Sequence, residues 1–334
     1  MYFKRKIDDF LLDWKKDISH KPLIIKGARQ IGKTESIENF ANNNYKNVIE
    51  INFALQHQFL TIFDKGFDVD QIVKSITLRD GKIKFIPNKT LIFFDEIQAC
   101  PNAATSLKSF ALDGRYDVIC SGSLMGINYH EIESNSVGFK TDYMMYSMDF
   151  EEFLWAKGYD ESIIEDLYNH MVNLEPLSTT EFDVFREAFK EYMIVGGMPR
   201  IVKRFIEQNN FYGILELQKQ ILSDYEEDIT KYAHGLDQGK ILSVYRKIPA
   251  FLANENKKFQ ISKVESGARS REYVGTVEWL DNAGIINISY CMEQPELPLG
   301  GNYNPDNYRD IYFVSYRNFG FLKEQEKEFN FIKV

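Results

Sequence analysis

The sequence predicts an α/β fold in which a parallel sheet with flanking helices is followed by a helical segment and a further small domain. Three observations lead to this prediction. Between residues 21 and 150, short apolar runs alternate with helical stretches, which is typical of a parallel sheet covered by helices. From residue 150 to about 232 the pattern is helical with few breaks. From residue 239 onward, three helices are followed by two strands.

The individual elements follow from local patterns. An amphipathic helix is expected within residues 1–20, where Ile7, Phe10, Leu11 and Trp14 recur at helical spacing. The candidate strands of the sheet are residues 23–26, 48–52, 90–94, 116–120 and 143–148. Breaks in the helical stretch are expected at residues 175–176 and 196–199, which contain Pro and Gly. The last segment is predicted as helices at 241–253, 260–264 and 270–284, a strand at 285–292, a loop at 293–308 and a strand at 310–315, which is the winged-helix order.

A glycine-rich segment after the first strand carries the most specific motif. It reads GARQIGKT from Gly27 to Thr34 and has the spacing G-x-x-x-x-G-K-[ST] between a strand and a helix. Such a loop directs successive backbone N–H groups and a helix N-terminus at a phosphate chain. Lys33 would reach the β- and γ-phosphates, and the Thr34 hydroxyl would bind Mg²⁺. The sequence therefore predicts a P-loop NTPase whose nucleotide contacts are Gly27, Ala28, Arg29, Gln30, Ile31, Gly32, Lys33, Thr34 and Glu35.

Two other strand ends supply candidate catalytic groups. The run Thr-Leu-Ile-Phe-Phe from residue 90 ends in Asp95 and Glu96. A carboxylate at this edge suits a magnesium site at Asp95, and a second one suits a general base at Glu96. The strand at 116–120 is followed by Ser121 and Ser123, and we expect Ser121, or else Ser123, to sense the γ-phosphate. Lys33, Glu96 and Ser121 are the predicted catalytic residues.

The choice of nucleotide rests on a missing motif. GTPases usually read guanine with Asn-Lys-x-Asp, and both Asn-Lys pairs of this chain, at residues 88 and 256, have no Asp at the last position. ATP and Mg²⁺ are therefore the expected ligands. A helicase would need a second motor lobe with arginine-rich motifs, and the C-terminal half has none.

Composition bounds the class of protein. The chain has 334 residues, 44% of them hydrophobic and 14% aromatic, which is enough for two or three domains with a sizeable core. Its formal net charge of −9 argues against general binding of polyanions. Cys100, Cys120 and Cys291 are scattered and form no disulfide or zinc pattern. With no signal peptide and no apolar run of about 20 residues, the prediction is a cytoplasmic protein without a membrane partner.

The predicted winged-helix segment differs in charge from the rest. Residues 240–275 contain eight basic and three acidic side chains, a balance of +5 within a chain of −9. The basic residues lie between Lys240 and Arg271. Such a face suits a phosphate backbone, but winged helices also bind proteins. DNA, protein and self-association all stay open as partners.

Five segments together resemble a known family. They are the loop GARQIGKT, LIFFDEIQACP from Leu91, DGRYDVICSGSLMGINY from Asp113, SMDFEEFLWAKG from Ser147 and VGGMP from Val195. This combination resembles the prokaryotic AAA+-like ATPases that carry a DUF4143 region. The resemblance implies ATP binding at Gly27–Thr34, metal at Thr34 and Asp95, and water activation by Glu96. It also implies a helical segment and a winged helix after the ATPase core.

Three departures from that family affect the expected activity. Where many relatives have Gly-Arg before the fifth strand, this chain has Ser136 to Lys140, and lysine lacks the planar guanidinium of an arginine finger. Arg200 replaces an acid after the Gly-Gly-x-Pro turn. We also expect that the C-terminal nuclease-like domain of those relatives is absent and that a divergent tail takes its place.

The predicted domains are a P-loop ATPase core at 1–150, a helical lid or linker at 151–236, a winged helix at 237–318 and a divergent tail at 319–334. Two functional hypotheses remain open. One is an ATPase that couples hydrolysis to motion of its helical and winged-helix parts. The other is a nucleotide-gated switch that hydrolyses little and whose winged helix docks DNA or protein.

Overall fold

The computed structural model describes residues 1–123, 136–233, 237–252, 259–265, 269–292 and 303–313. The chain divides into two compact units, Met1–Tyr146 and Ser147–Val334. The predicted tail at 319–334 lies outside the described residues, as do Lys257 and Lys258 of the basic segment. The predicted domain boundaries stay predictions, and each unit is described by itself below.

The first unit contains a five-stranded sheet whose strands all run parallel. The strands are Leu23–Gly27 (β1), Asn47–Asn52 (β2), Thr90–Asp95 (β3), Asp117–Ser123 (β4) and Thr141–Met144 (β5). Their order across the sheet is β2-β3-β4-β1-β5. The parallel sheet predicted from the alternating pattern is thereby confirmed. Because all strands are parallel, their carboxyl ends lie at one edge, where ligands of open α/β sheets bind.

Helices cover this sheet and bury its central strands. They are Lys6–Lys16 (α1), Val69–Arg79 (α3), Pro101–Asp113 (α4) and the helix after β1, Lys33–Asn44 (α2), with short 3-10 helices at His57–Phe63 and Ile97–Ala99. Every residue of β3 is buried, as expected for a strand covered on both faces. Phe53, Phe63 and Phe110 pack around Phe94 of β3, with ring centroids 5.4–6.2 Å from it.

Two strands differ from the predicted boundaries. β4 extends through Ser123, three residues beyond the expected end, because its pairing with β1 continues until Gly27 lies opposite Ser123. The strand expected at 143–148 is instead Thr141–Met144. Its partner β1 ends at Gly27, so pairing stops with Lys26 opposite Met144, and one further bond joins Met145 N–H to the Lys26 carbonyl at 2.8 Å. Residues 145–148 are therefore not strand.

The second unit begins with the helical segment that the sequence predicted. Its helices are Phe150–Ala156 (α5), Glu161–Asn173 (α6), Thr179–Val195 (α7), Pro199–Gln208 (α8) and Ile214–Tyr232 (α9). Two of the breaks between these helices, at 174–178 and 196–198, fall at the predicted prolines and glycines. Gly197 also permits a close backbone contact, since a Cβ there would lie 2.0 Å from the Met148 carbonyl oxygen. The Met148 N–H donates to the Gly197 carbonyl at 2.7 Å, so this glycine pair does more than interrupt a helix.

The remainder of the second unit follows the predicted order of elements. It contains Gln238–Leu252 (α10), a 3-10 turn at Ile261–Lys263, Ser270–Asn282 (α11) and an antiparallel pair, Ile286–Met292 (β6) and Tyr303–Phe313 (β7). The loop expected at 293–308 is too long, because β7 begins at Tyr303 and pairs with Met292. Register shifts beside Tyr290 absorb residues 305–307, including Pro305, which a two-stranded ribbon tolerates.

Helix lengths and hydropathy also address the membrane prediction. Among the described residues, none of the helices combines the length and apolar character that crossing a bilayer requires.

Candidate functional site

The glycine-rich loop lies at the carboxyl edge of the sheet, between β1 and α2. Gly32 precedes α2 as its N-cap residue with a left-handed backbone, φ 93°. Gly27 is required for a different reason, because a Cβ there would lie 2.2 Å from the Met145 carbonyl oxygen and 2.6 Å from Ile31 Cδ1. No side chain fits at that distance, so only glycine lets β1 enter the loop at this point.

The Lys33 side chain folds back over this loop. Its ammonium donates to the Gly27 carbonyl at 3.1 Å and to the Ala28 carbonyl at 2.6 Å. Burial lowers the pKa of Lys33 to about 8, while the negative charges of Glu96 and Asp95 oppose that shift. The ammonium is thus held at the loop by two carbonyl oxygens, and the oxygens of a bound phosphate could replace them as acceptors.

Asp95 is the central acceptor of the site. Its Oδ2 lies 3.4 Å from Thr34 Oγ1 and 3.0 Å from Asn52 Nδ2, while its Oδ1 accepts from the Glu96 N–H at 3.0 Å and from the Ser121 hydroxyl. The side chain is buried. Three strand ends, β2, β3 and β4, and the first turn of α2 therefore converge on one carboxylate.

The donor set at this point fits Mg²⁺. Thr34 and Asp95, the predicted metal ligands, offer a hydroxyl and a carboxylate oxygen, which are the hard ligands this ion prefers. Their separation of 3.4 Å is close to the ~2.9 Å between neighbouring oxygens in an octahedral magnesium shell. Burial, followed by the charges of Asp95 and Glu35, also raises the pKa of Glu38 on α2, so the local field is negative and favours a cation.

Glu96 follows β3 in an unusual conformation. Its backbone is left-handed, with φ 56° and ψ 48°, which is uncommon for a residue other than glycine and is often found at functional sites. The Glu96 carboxylate accepts a hydrogen bond from the Gln98 side chain. Gln98 Oε1 in turn lies 3.3 Å from the Ser123 N–H, so the side chain links the predicted base to the end of β4.

The two serines of β4 have different surroundings. Both are buried, and Ser121 on β4 donates to Asp95 at the end of the neighbouring strand β3. Ser123 Oγ has no hydrogen-bond partner among the residues that the structure describes. A buried hydroxyl without a hydrogen-bond partner destabilises the folded state. The Ser123 hydroxyl is therefore the one of the two that could bond to a ligand.

Asn52 and Gln98 are the site residues that the sequence analysis missed. Asn52 ends β2, the strand next to β3, so its place at the same sheet edge follows once the strand order is known. Gln98 stands two residues after the predicted base, within the 3-10 turn Ile97–Ala99. A polar residue ending a buried strand was the available signal for Asn52.

Arg5, just before α1, supports the loop from behind. It is 4% exposed, and its guanidinium donates to the Ile31 carbonyl at 2.9 Å and to the Tyr146 carbonyl at 2.8 Å. Tyr2 reaches the same region, where its hydroxyl donates to Asp8 at 2.5 Å and accepts from the Ser36 hydroxyl of α2 at 3.1 Å. The segment before the core thus fixes both the loop and the helix that follows it.

Replacing Arg5 with alanine is expected to lower the free energy of unfolding by about 3 kcal/mol, because the buried Ile31 carbonyl and the part-buried Tyr146 carbonyl lose charged donors. ATP affinity should fall as well, since Ile31 belongs to the loop. Denaturant unfolding and nucleotide titration measure the two effects. Lys16→Ala on the exposed end of α1 is the control, with a change within about 0.5 kcal/mol. An Arg5→Ala chain of unaltered stability would contradict the assignment.

The remaining predicted residues are placed as follows. Arg29, Gln30 and Glu35 lie in the loop and the first turn of α2, and Gln30 has a left-handed backbone. Lys140, at the position of the missing arginine, is paired with Asp142 at 2.6 Å and its side chain is 7% exposed. Arg200 is an exposed residue of α8 in the second unit.

Two family models match the chain. Residues 19–154 match a model described as an AAA domain, and residues 186–314 match one described as domain of unknown function DUF8612. Residues 19–154 are thus similar to an AAA domain, which supports the coarse prediction of an AAA-type P-loop ATPase. The second model differs from the DUF4143 region that the resemblance implied, and that part of the prediction is not confirmed. No curated protein matches the chain.

Several solved structures are similar to the chain. The Walker-type ATPase PABY2304 of Pyrococcus abyssi has a TM-score of 0.54 and 13% identity, covering 94% of this chain and 95% of its own. A RuvB variant of Thermotoga maritima has a TM-score of 0.41 and 11% identity, covering 98% and 96%. Drosophila ORC bound to DNA has a TM-score of 0.36 and 12% identity, covering 97% and 94%. At such identities, the first of these supports the fold alone.

Proposed function

We propose that the chain binds ATP with Mg²⁺ at residues 27–35 and hydrolyses it, and that this reaction moves the helical and winged-helix parts of the second unit. The observation that carries the proposal is the convergence of Thr34, Asn52 and Ser121 on Asp95, beside a second carboxylate at Glu96. This is the set of groups that phosphoryl transfer to water requires.

Each group has a defined task in this proposal. The loop N–H groups and the Lys33 ammonium bind the phosphate oxygens and stabilise the charge that develops on them. Thr34 and Asp95 would hold Mg²⁺, which would supply positive charge beside the phosphate oxygens. Glu96 orients the attacking water and takes its proton. Ser121 keeps Asp95 in place, and Ser123 has the hydroxyl that is available to the γ-phosphate or the water.

A nucleotide-gated switch is the second candidate, and two contacts favour it. Glu96 Oε2 accepts from the Gln98 side chain, so one oxygen of the proposed base is already occupied. Lys140 is occupied by Asp142, which leaves that position without a cation to stabilise the transition state. In this alternative, hydrolysis is slow and nucleotide binding itself sets the conformation.

Turnover across a series of protein concentrations distinguishes the two candidates. If self-association supplies the missing cation from a neighbouring molecule, the rate per molecule should rise at least about tenfold on assembly, since an arginine finger contributes more than that. Size-exclusion chromatography at each concentration provides the matched measure of assembly. A rate per molecule that is low and constant, with tight ATP binding, would favour the switch and contradict the assembling ATPase.

The partner of the second unit is proposed to be DNA or protein through a winged helix at 237–318. The order of α10, the 3-10 turn, α11 and the β6–β7 hairpin supports that fold. The charge argument for DNA is weaker than the sequence suggested. Arg246 forms two bonds to Glu226 at 2.8–3.0 Å, and Lys240 lies near Asp237 and Glu272 at 3.5 and 4.0 Å.

A reducing compartment such as the cytoplasm remains our proposal for localisation. Cys100 and Cys120 are both buried and unbonded, and burial raises the pKa of Cys100 to about 11. Thiols in such surroundings are unreactive, so they act as small core side chains.

A further inference from the structure

We propose that α6 and α7 bind a divalent transition-metal ion through Asp166, His170 and Glu181. Each of these side chains offers one ligand atom, and the three atoms lie within 4.8 Å of one another. The site belongs to the second unit and is independent of the nucleotide chemistry proposed above.

Helix geometry brings the three residues together. Asp166 and His170 are four residues apart on α6, so they lie on the same face of that helix. Glu181 stands in the first turn of α7, which begins after the short connection at 174–178. The three side chains line a cavity of about 150 Å³ whose other walls include Tyr159, Leu167 and Phe185. Three metal-ligating groups therefore converge in a cavity with otherwise largely apolar walls.

The histidine gives an independent reason to expect a ligand. His170 Nδ1 is buried and has no hydrogen-bond partner among the described residues. A buried ring nitrogen without a partner is destabilising, and such groups are normally paired with protein, water or an ion. A cation between the imidazole and the two carboxylates would compensate all three groups at once.

Glu181 is already oriented and charged for this role. Its Oε2 accepts from the Ser178 N–H at 2.8 Å, while its own N–H donates to Ser178 Oγ at 3.3 Å, which forms a capping box. Hydrogen bonding of the carboxylate by the Ser178 side chain, followed by the Ser178 N–H, lowers the pKa of Glu181. The cap fixes one carboxylate oxygen and leaves Oε1 for a metal.

The ligand set defines the class of ion. One imidazole nitrogen and two carboxylate oxygens suit Zn²⁺, Mn²⁺, Fe²⁺ or Co²⁺ better than Ca²⁺ or Mg²⁺, which take oxygen ligands. A tetrahedral Zn²⁺ needs its ligand atoms about 3.3 Å apart, so the three atoms must move closer on binding. Asp166 is exposed and can change rotamer to close that gap. A water would complete the coordination shell.

Metal titration of the untagged chain, treated with chelator and kept free of nucleotide, tests the proposal. We expect one Zn²⁺ to bind, Co²⁺ to give a visible d–d absorption band, and saturating Zn²⁺ to raise the melting temperature by about 5 °C. His170→Ala should weaken Zn²⁺ binding by more than about 100-fold, since loss of even a supporting partner costs a metal site about 10–100-fold. Glu181→Gln should also weaken it while preserving the cap hydrogen bond.

His57→Ala is the matched control, because His57 is an exposed residue of the first unit whose ring bonds to the Ala54 carbonyl. It should leave Zn²⁺ affinity unaltered. Far-UV circular dichroism checks that each variant is folded. If His170→Ala does not fold, Glu181→Gln alone provides the test. A wild-type chain that binds no Zn²⁺ would overturn the proposal. So would Zn²⁺ binding that survives His170→Ala and Glu181→Gln, or that is lost only in Asp95→Asn.

Discussion

Lys33→Ala is expected to weaken ATP binding by about 100-fold or more while leaving the fold intact. The ammonium is held at the loop by two carbonyls and would exchange them for phosphate oxygens. Charged hydrogen bonds contribute about 1.5–3 kcal/mol each, and loss of two corresponds to at least a hundredfold in affinity. Alanine is a good helix former at the first position of α2, so the helix itself should be preserved.

Calorimetric titration with ATP and with a slowly hydrolysed analogue, both with Mg²⁺, measures this effect. Lys46→Ala is the matched control, because Lys46 is an exposed lysine just after α2 and lies outside the loop. Its variant should bind ATP as the wild type does. A Lys33→Ala chain with wild-type affinity would mean that the loop does not bind phosphates, and would remove the proposed function altogether.

The sequence was sufficient to predict the sheet and the glycine loop because both depend on local patterns. The loop motif needs only a strand before it and a helix after it, and β1 and α2 supply them. Asp95 and Ser121 were predictable because parallel strands deliver their carboxyl ends to one edge. Nothing in that reasoning required knowledge of distant contacts.

Asn52, Gln98 and Arg5 were not predicted, for reasons of distance and geometry. Asn52 reaches Asp95 only because β2 is paired with β3, and strand order is a tertiary property. Gln98 reaches Glu96 because the left-handed backbone of Glu96 turns the chain, which no propensity indicates. Arg5 donates to carbonyls that are 26 and 141 positions away in the chain, and local sequence patterns do not indicate such contacts. The predicted bounds of β5 were wrong for a similar reason, because the end of this strand is set by its pairing with β1.

The metal-binding cluster shows the same limit in the second unit. The i, i+4 spacing of Asp166 and His170 is visible in the sequence, but acidic and histidine pairs at that spacing are frequent on exposed helices. The tertiary structure is needed to show that Glu181 of α7 lies beside this pair and that His170 Nδ1 is buried.

Glu96→Gln is expected to retain ATP binding and to reduce turnover by about 100- to 10,000-fold, the range that a general base contributes. Glutamine has nearly the same shape, keeps an acceptor for Gln98 and tolerates the left-handed backbone as well as glutamate does. The substitution therefore removes the proton acceptor and little else, so binding and chemistry should separate cleanly.

Glu50→Gln is the matched control for charge. Glu50 is an exposed residue of β2, and burial together with the charges of Glu38 and Asp95 raises its pKa, so it shares the local field without contacting the loop. Its variant should turn over ATP at the wild-type rate. Equal turnover in Glu96→Gln and wild type would rule out Glu96 as the base. A different outcome is that the wild type binds ATP tightly and turns it over slowly, at a rate that Glu96→Gln does not lower. The nucleotide would then act as a switch, because ATP binding would not be followed by hydrolysis that depends on Glu96.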